Sequence, residues 1–517
     1  MPTTTEAVRV ESGLLAGVAS SDGAVRAFKG VPYARPPLGP MRWHAPEPPE
    51  SWSGVRPADR FGPRSVQPDR PRTAIGYFGP EAESEDCLFL NVWTAAGPSD
   101  ALPVMVWFHG GAFAVGSGAL PIFDGAALAR KGAVVVTVNY RLGRLGFLAH
   151  PQLTREAAYR ASGNYGLLDQ IAALAWVQRN IAAFGGDPGC ITIFGQSAGS
   201  SSVNCLMASK LARGLFHRAI GQSGGALGKR ALPPLDEAER AGAAFARALG
   251  AAGIEALRAR PARELQLVRP DLGGRSMDTY DSNDATALDR GTGWANLDGH
   301  ILAEPVHDTF ARGGENDVPL LTGSTQDEGM TLPGIATLGD YAARARAEFG
   351  AEADRFLALY PATNDEQALM ASREATGDRT FTWENWLWAR LQARNGRAKS
   401  FYYHFRRAPP RPLLPGGGDL ARPLGAFHTA DIPYAFNHLG ARDWPWQEAD
   451  RRLAEIMSSY WLNFAKSGDP NGAGLPPWRA CDGTMREVMH LGDDVAMGPV
   501  PRPDRIAFWN DFDERTK

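Results

Sequence analysis

The stretch Thr192–Val203, TIFGQSAGSSSV, sets a serine between two glycines directly after a short apolar, β-branched run. Taken as strand, turn and helix, it makes Ser197 a nucleophile. Taken as composition alone, it is a glycine-rich turn in a chain with 58 glycines. The geometry of the turn separates the two. A turn sharp enough to expose a serine hydroxyl between a strand and a helix presses together the backbone two residues on either side, where a Cβ would collide. Gly195 and Gly199 stand at those places, and the helix that follows aims its first N–H groups at the serine, favouring negative charge there.

The flanking sequence carries the same alternation outward. PVMVWFHG (103–110) and AVVVTVNY (133–140) are continuous apolar runs, as expected of strands buried on both faces of a mostly parallel sheet. DQIAALAWVQRNIAAFGG (169–186) spaces its apolar residues as a helix does and closes on a glycine pair. CITIF (190–194) reads as a strand, SAGSSSVNCLMAS (197–209) as a helix, and RAIGQSGG (218–225) as the next strand. VPLLTGS (318–324) and KSFYYHF (399–405) restore the strand pattern, and an amphipathic helix is expected over 447–466. This alternation predicts an α/β doubly wound sheet.

The chain of 517 residues exceeds the usual size of one hydrophobic core, yet no linker divides it. One α/β domain over 1–517 is expected, with an irregular N-terminal region to about 100 and helical insertions at about 230–300 and 335–395. A 44% hydrophobic and 21% charged composition is ordinary for a globular protein, and a formal charge of -3 gives no field that would attract nucleic acid or an anionic membrane. The four cysteines are widely separated, without metal-ligand spacing, so a disulfide scaffold is excluded. Neither an export signal nor a membrane span is legible. The chain as written is expected to be cytoplasmic, although one trimmed of an export signal, and so secreted or periplasmic, would read the same way.

A nucleophilic serine needs oxyanion donors, a base and an acid to orient that base. His109-Gly110-Gly111-Ala112-Phe113 ends a predicted strand upstream of the serine, where glycines let backbone N–H groups turn toward a carbonyl oxygen. In α/β-hydrolases the acid and then the histidine follow the serine along the chain. Of the later histidines, His404 sits within an aromatic strand, and His438 and His490 lie in loops without flanking signals. His428, in LGAFHTADIPYAF (424–436), follows a glycine-containing loop and is the preferred base. Asp327 and Glu328 both end the strand Val318–Leu321, and spacing does not choose between them.

These motifs, and others along nearly the whole chain, resemble the type B carboxylesterases, the α/β-hydrolases that include para-nitrobenzyl esterases, carboxylesterases and cholinesterases. The resemblance rests on FKGVPYARPPLGPMRW (28–43), SEDCLFLNVW (84–93), HGGAF (109–113), NYRLGRLGFL (139–148), the long segment 163–188, FGQSAGS (194–200), FHRAIGQSG (216–224), GSTQDEG (323–329), HTADIPYAF (428–436) and WLNFAKSGDPN (461–471). It implies an α/β-hydrolase fold, a large mostly parallel sheet flanked by helices. It implies Ser197 as nucleophile, Glu328 as acid, His428 as base, and the N–H groups of Gly111, Ala112 and Ala198 as oxyanion donors. An ion pair between Arg42 and Glu85, and support of the acid by Ser223, are further implications.

The activity implied is hydrolysis of small to medium uncharged carboxylic esters through an acyl-enzyme, with no metal and no organic cofactor. The partner is a small ester, and no oligomeric state is indicated. A carbamate or amide hydrolase with the same triad is the alternative; a non-catalytic cholinesterase-like binding protein fits poorly with an intact triad. Phe113 and the cluster Phe381, Trp383, Trp386 and Trp388 are candidates to line the substrate pocket, although a helix packing its aromatics into the core would give the same pattern. The departures matter as much. Ser65 stands where family members place the cysteine that pairs with Cys87, so Cys87 is expected to be a free thiol. Gln196 replaces the glutamate common before the nucleophile, which weakens any preference for cationic substrates. Tyr77 falls where cholinesterases place a choline-binding tryptophan, and its ring face could still contact a cation.

Overall fold

The computed structural model describes residues 4–68, 81–97, 99–228, 231–267, 292–413 and 421–515. Its strands in chain order are β1 (Val8–Val10), β2 (Gly13–Ala16), β3 (Val18–Ala19), β4 (Arg26–Pro32), β5 (Val55–Pro57), β6 (Phe89–Thr94), β7 (Leu102–Phe108), β8 (Val134–Val138), β9 (Gly186–Gln196), β10 (Arg218–Gln222), β11 (Leu320–Thr325), β12 (Ser400–Phe405), β13 (Glu487–Leu491) and β14 (Val495–Pro499). Eleven of them form one sheet in the order β14-β13-β12-β11-β10-β9-β7-β8-β6-β4-β3, while β1, β2 and β5 form a small separate sheet. Pairing is parallel from β8 through β7, β9, β10, β11 and β12 to β13. It turns antiparallel at the two margins. The sheet is the mostly parallel one that the apolar runs predict.

Burial on both faces explains those runs. On β7, Val104, Val106 and Phe108 join the core on one side while Met105 and Trp107 join the core on the other. On β8, Val134, Val136 and Val138 alternate with Val135 in the same way. A strand with apolar neighbours above and below has no polar face, which removes the alternation that marks half-exposed strands. Helix Tyr165–Asn180 covers the first of these faces through Leu167, Ala173, Leu174, Trp176 and Val177. A short 3-10 turn extends it to Phe184, and Gly185 at φ 81° ends it. Helix Glu448–Ser467 packs on the opposite face through Leu453, Met457, Tyr460, Trp461 and Phe464.

Helices occupy Leu235–Ala248, Ile254–Arg258 and Ala262–Leu267, and again Leu338–Phe349, Ala353–Leu359, Asp365–Gly377 and Trp383–Asn395. The remainder of the expected insertion near 230–300 lies largely outside the described residues. Arg42 and Glu85 form a two-pronged pair at 2.7 and 2.6 Å, and Arg42 Nη1 also donates to the carbonyls of Leu257, Arg258 and Arg260. The pair thus ties the N-terminal segment to the helical region, and its fork geometry satisfies both carboxylate oxygens. All four cysteines are free. Among the described residues no helix is long and apolar enough to cross a membrane.

Candidate active site

The parallel strands β7, β9, β10 and β11 all end on one edge of the sheet, where open α/β sheets bind their ligands. There β9 gives way to helix Ala198–Ala208 through a single hinge residue, Ser197, at φ 58° and ψ −126°. Two backbone bonds hold the hinge. Ser197 N–H donates to Gln222 O at 2.9 Å, and Ser201 N–H donates to Ser197 O at 2.9 Å. The flanking glycines are sterically required. A Cβ on Gly199 would lie 1.9 Å from the Phe108 carbonyl oxygen, and one on Gly195 would lie 2.4 Å from the Gly199 carbonyl carbon. An ordinary glycine turn makes no such demand, and the left-handed backbone at a serine is the strain expected of a nucleophile elbow.

The segment after β7 closes over this hinge. Gly111, Ala112 and Phe113 have φ of 111°, 55° and 56°, a run of left-handed residues uncommon outside functional turns. The turn is closed by the N–H groups of Ala114 and Val115, both donating to Gly111 O at 3.0 Å. Gly110 lies against the serine, since a Cβ there would be 3.0 Å from Ser197 Cβ. Among the described residues the N–H groups of Gly111 and Ala112 have no backbone acceptor, and that of Ala198 opens a helix, where intrahelical partners are lacking. His109 is structural. Burial pushes its imidazole down to about 4, so it stays neutral, stacked 4.5 Å from the Tyr140 ring.

The choice between the two carboxylates after β11 is resolved by reach. Glu328 Oε2 lies 2.5 Å from His428 Nδ1, and its Oε1 accepts the Thr325 N–H at 2.7 Å. Asp327 turns the other way. Its N–H donates to Ala426 O at 3.0 Å and its Oδ2 accepts the Ala426 N–H at 2.8 Å, stapling the turn to the loop that carries His428. With Nδ1–H donated to the carboxylate, His428 Nε2 is left as an acceptor. Gln196 reaches it from the end of β9: the amide nitrogen lies 3.2 Å from Nε2 and donates to the His428 carbonyl at 2.7 Å. The Ser197 hinge, Glu328 and His428 are therefore brought to one place from the end of β9, the turn after β11 and the loop that follows β12.

Phe381 stacks on the His428 ring at 4.0 Å between centroids. Its neighbours differ in placement. Trp383 is buried in the core beside Glu384 and Gly228, Trp388 is fully buried against Phe310, and Trp386 carries the Arg390 guanidinium on its ring face. Phe113 is buried, with Trp294 edge-on at 5.0 Å and Phe147 at 4.9 Å. Tyr77 lies outside the described residues. His404 is buried in β12, its imidazole pushed down to about 3 by burial, and takes no part in this constellation.

One implied contact is not made. Among the described residues the buried Ser223 hydroxyl has no hydrogen-bond partner; Ser223 is held at φ 51° by its N–H bond to Gly323 O, and Glu328 Oε1 accepts the Thr325 N–H. Conversely, sequence reading passed over Asp431. This fully buried carboxyl accepts from Gln222 Nε2 at 2.9 Å and from Tyr403 Oη at 2.8 Å on one oxygen, and among the described residues its other oxygen has no partner. Burial, reinforced by the nearby Glu328 charge and only partly offset by those two bonds, pushes its carboxyl up to about 6. An acidic residue inside the apolar run ADIPYAF was the available signal.

The arrangement offers an activatable hydroxyl, an oriented imidazole and free amide donors, the equipment of acyl transfer. Among the described residues no group of three or more His, Cys, Asp or Glu side chains could hold a metal ion. The model of the Carboxylesterase family matches residues 4–509. The chain is similar to fumonisin B1 esterase of Sphingopyxis macrogoltabida, 38% identical over 94% of this chain and 86% of that protein. It is also similar to para-nitrobenzyl esterase of Bacillus subtilis strain 168, 34% identical over 94% of this chain and 95% of the relative. A solved structure described as PNB esterase superposes with a TM-score of 0.80 at 32% identity, over 97% of this chain and 99% of the other.

Proposed function

Since the chain belongs to the carboxylesterase family and is a carboxylic ester hydrolase acting on small molecules, we propose that it works through an acyl-enzyme on Ser197, with His428 as general base and Glu328 as the acid that orients it. His428 Nε2 takes the serine proton as Oγ attacks the ester carbonyl. The N–H groups of Gly111, Ala112 and Ala198 hold the tetrahedral oxyanion, each contributing ~10²–10³ in turnover. The alcohol leaves with the proton carried by His428, and water activated by the same imidazole releases the acid. Glu328 stabilises the imidazolium that forms at each step without taking its proton.

The observation that supports this reading most is the 2.5 Å contact between Glu328 and His428 Nδ1 beside a strained serine elbow. Small to medium uncharged esters are the proposed substrates. A neutral Gln196 beside the serine gives a cationic alcohol no counter-charge, and Phe381 and Phe113 offer apolar faces next to His428 and the HGG turn. Trp383 and Tyr77 are proposed as further substrate contacts. A fluorophosphonate should label the wild type covalently and leave Ser197→Ala unlabelled; an unlabelled wild type sinks the reading. Ester, carbamate and amide substrates sharing one leaving group should be turned over in that order, and faster turnover of the carbamate or amide would reassign the substrate class.

A further inference from the structure

Gln196 is 2% exposed, and its carboxamide is aimed at the one residue on the His428 loop through which the chemistry runs. Two contacts from a single amide nitrogen define the geometry: the carbonyl of His428 at 2.7 Å and its Nε2 at 3.2 Å. The first fixes the backbone of the histidine to the end of the nucleophile strand. The second places a donor, never an acceptor, before the ring nitrogen that must receive the serine proton. An imidazolium would present a second N–H to that same donor, so the amide disfavours the charged ring. A carboxylate at position 196 would do the reverse. It could accept from a protonated Nε2, and its oxygens would face the His428 carbonyl.

We propose that Gln196 is a positioning residue for the general base: its carboxamide docks His428 onto β9 and sets an N–H donor, where a carboxylate would set an acceptor, at Nε2. This rests on the reading of His428 as base and goes beyond the effect of residue 196 on substrate charge. The other groups facing His428 pull differently. Glu328, from the turn after β11, favours the imidazolium through Nδ1. Asp431, three residues along the same loop, does so from beneath when ionised, held by Gln222 from β10 and Tyr403 from β12. Asp327 is occupied with Ala426, and the Phe381 ring that covers one face carries no charge. Among the described residues Gln196 is the side chain hydrogen-bonded at Nε2, and it meets that nitrogen with a donor.

The test is the pH profile of kcat/KM on a neutral ester, whose acid limb reports ionisation of the free enzyme's base. Gln196→Glu should move that limb upward by about one pH unit or more, giving a tenfold or greater loss at a pH below the limb, with fluorophosphonate labelling slowed in parallel. Gln196→Met, similar in length and uncharged, tests docking alone. It should lower kcat about tenfold with KM unchanged and move the limb upward by less than Gln196→Glu does, and it carries the test if the buried glutamate prevents folding. An acid limb in Gln196→Glu that coincides with the wild type, or a Gln196→Met enzyme with wild-type kcat, overturns the proposal. A Gln196→Glu enzyme that gains only a lower KM for cationic esters likewise reduces residue 196 to a charge selector. Failure of the triad assignment reads differently: Ser197→Ala would then retain its label whatever residue 196 does.

Discussion

Two adjacent carboxylates after β11 differ in function because one points across to the histidine ring and the other to the backbone beside it. Glu328→Gln should lower kcat by roughly 10⁴, since the amide cannot stabilise the imidazolium and can hold the wrong tautomer. Asp327→Asn keeps an oxygen for the Ala426 N–H and should cost less than about tenfold. Steady-state kinetics on one ester distinguishes them, and comparable losses in both variants would overturn the division of labour. Asp431 supplies a stability test. Its folded carboxyl, raised from 3.8 to about 6, binds a proton more tightly than in the unfolded chain, so its contribution is fully present below about pH 4 and is lost as pH rises to about 6. The stability of Asp431→Asn relative to wild type should therefore improve by roughly 3 kcal/mol across that interval. Denaturant melts at several pH values give the difference, and a constant offset between the two proteins excludes the raised carboxyl.

Among the elements, the strand-turn-helix at Ser197 has little tolerance for added side chains. Because a Cβ at 199 would sit 1.9 Å from the Phe108 carbonyl oxygen, which is backbone and cannot swing aside, Gly199→Ala must push β7 and the helix apart. A loss of about 1–3 kcal/mol is expected in thermal denaturation. Turnover should fall more than about a hundredfold, because the serine hydroxyl shifts relative to the imidazole and the amide donors. Wild-type kcat in Gly199→Ala would contradict the packing. This element was legible from sequence because its constraints are local: a β-branched run, two glycines at fixed offsets and a helix start. The HGG turn was legible for the same reason, but its left-handed Ala112 and Phe113 were not, since neither residue type announces such a backbone. The short margin strands β3, β13 and β14 escaped notice because few residues and mixed burial leave little periodicity to read.

At the scale of the whole molecule, the N-terminal segment is held without a disulfide at Cys87. Ser65 and Cys87 are both buried, the hydroxyl within hydrogen-bonding reach of the thiol, and burial pushes that thiol well above its ordinary range. The Arg42–Glu85 pair supplies one tie in this region. Ser65→Cys should close the bridge under oxidising conditions, constraining a loop of about twenty residues and adding about 3 kcal/mol. The gain should vanish on adding a thiol reductant, and a melting temperature indifferent to reductant would show that the two side chains cannot meet.

The sequence alone determined the central strands and their helices, the serine elbow, the amide-rich turn and the histidine loop, because each depends on residues within a few positions of one another. Spacing left open which carboxylate faces His428 and the family resemblance chose Glu328; only the tertiary structure decided that Ser223 does not bond to the acid, that Asp431 lies buried beneath the site, and that Gln196 reaches a histidine 232 positions away. Those contacts are made between side chains carried by different strand ends and loops. Strand order and register set which of them meet, and neither is encoded in the spacing of residues along the chain.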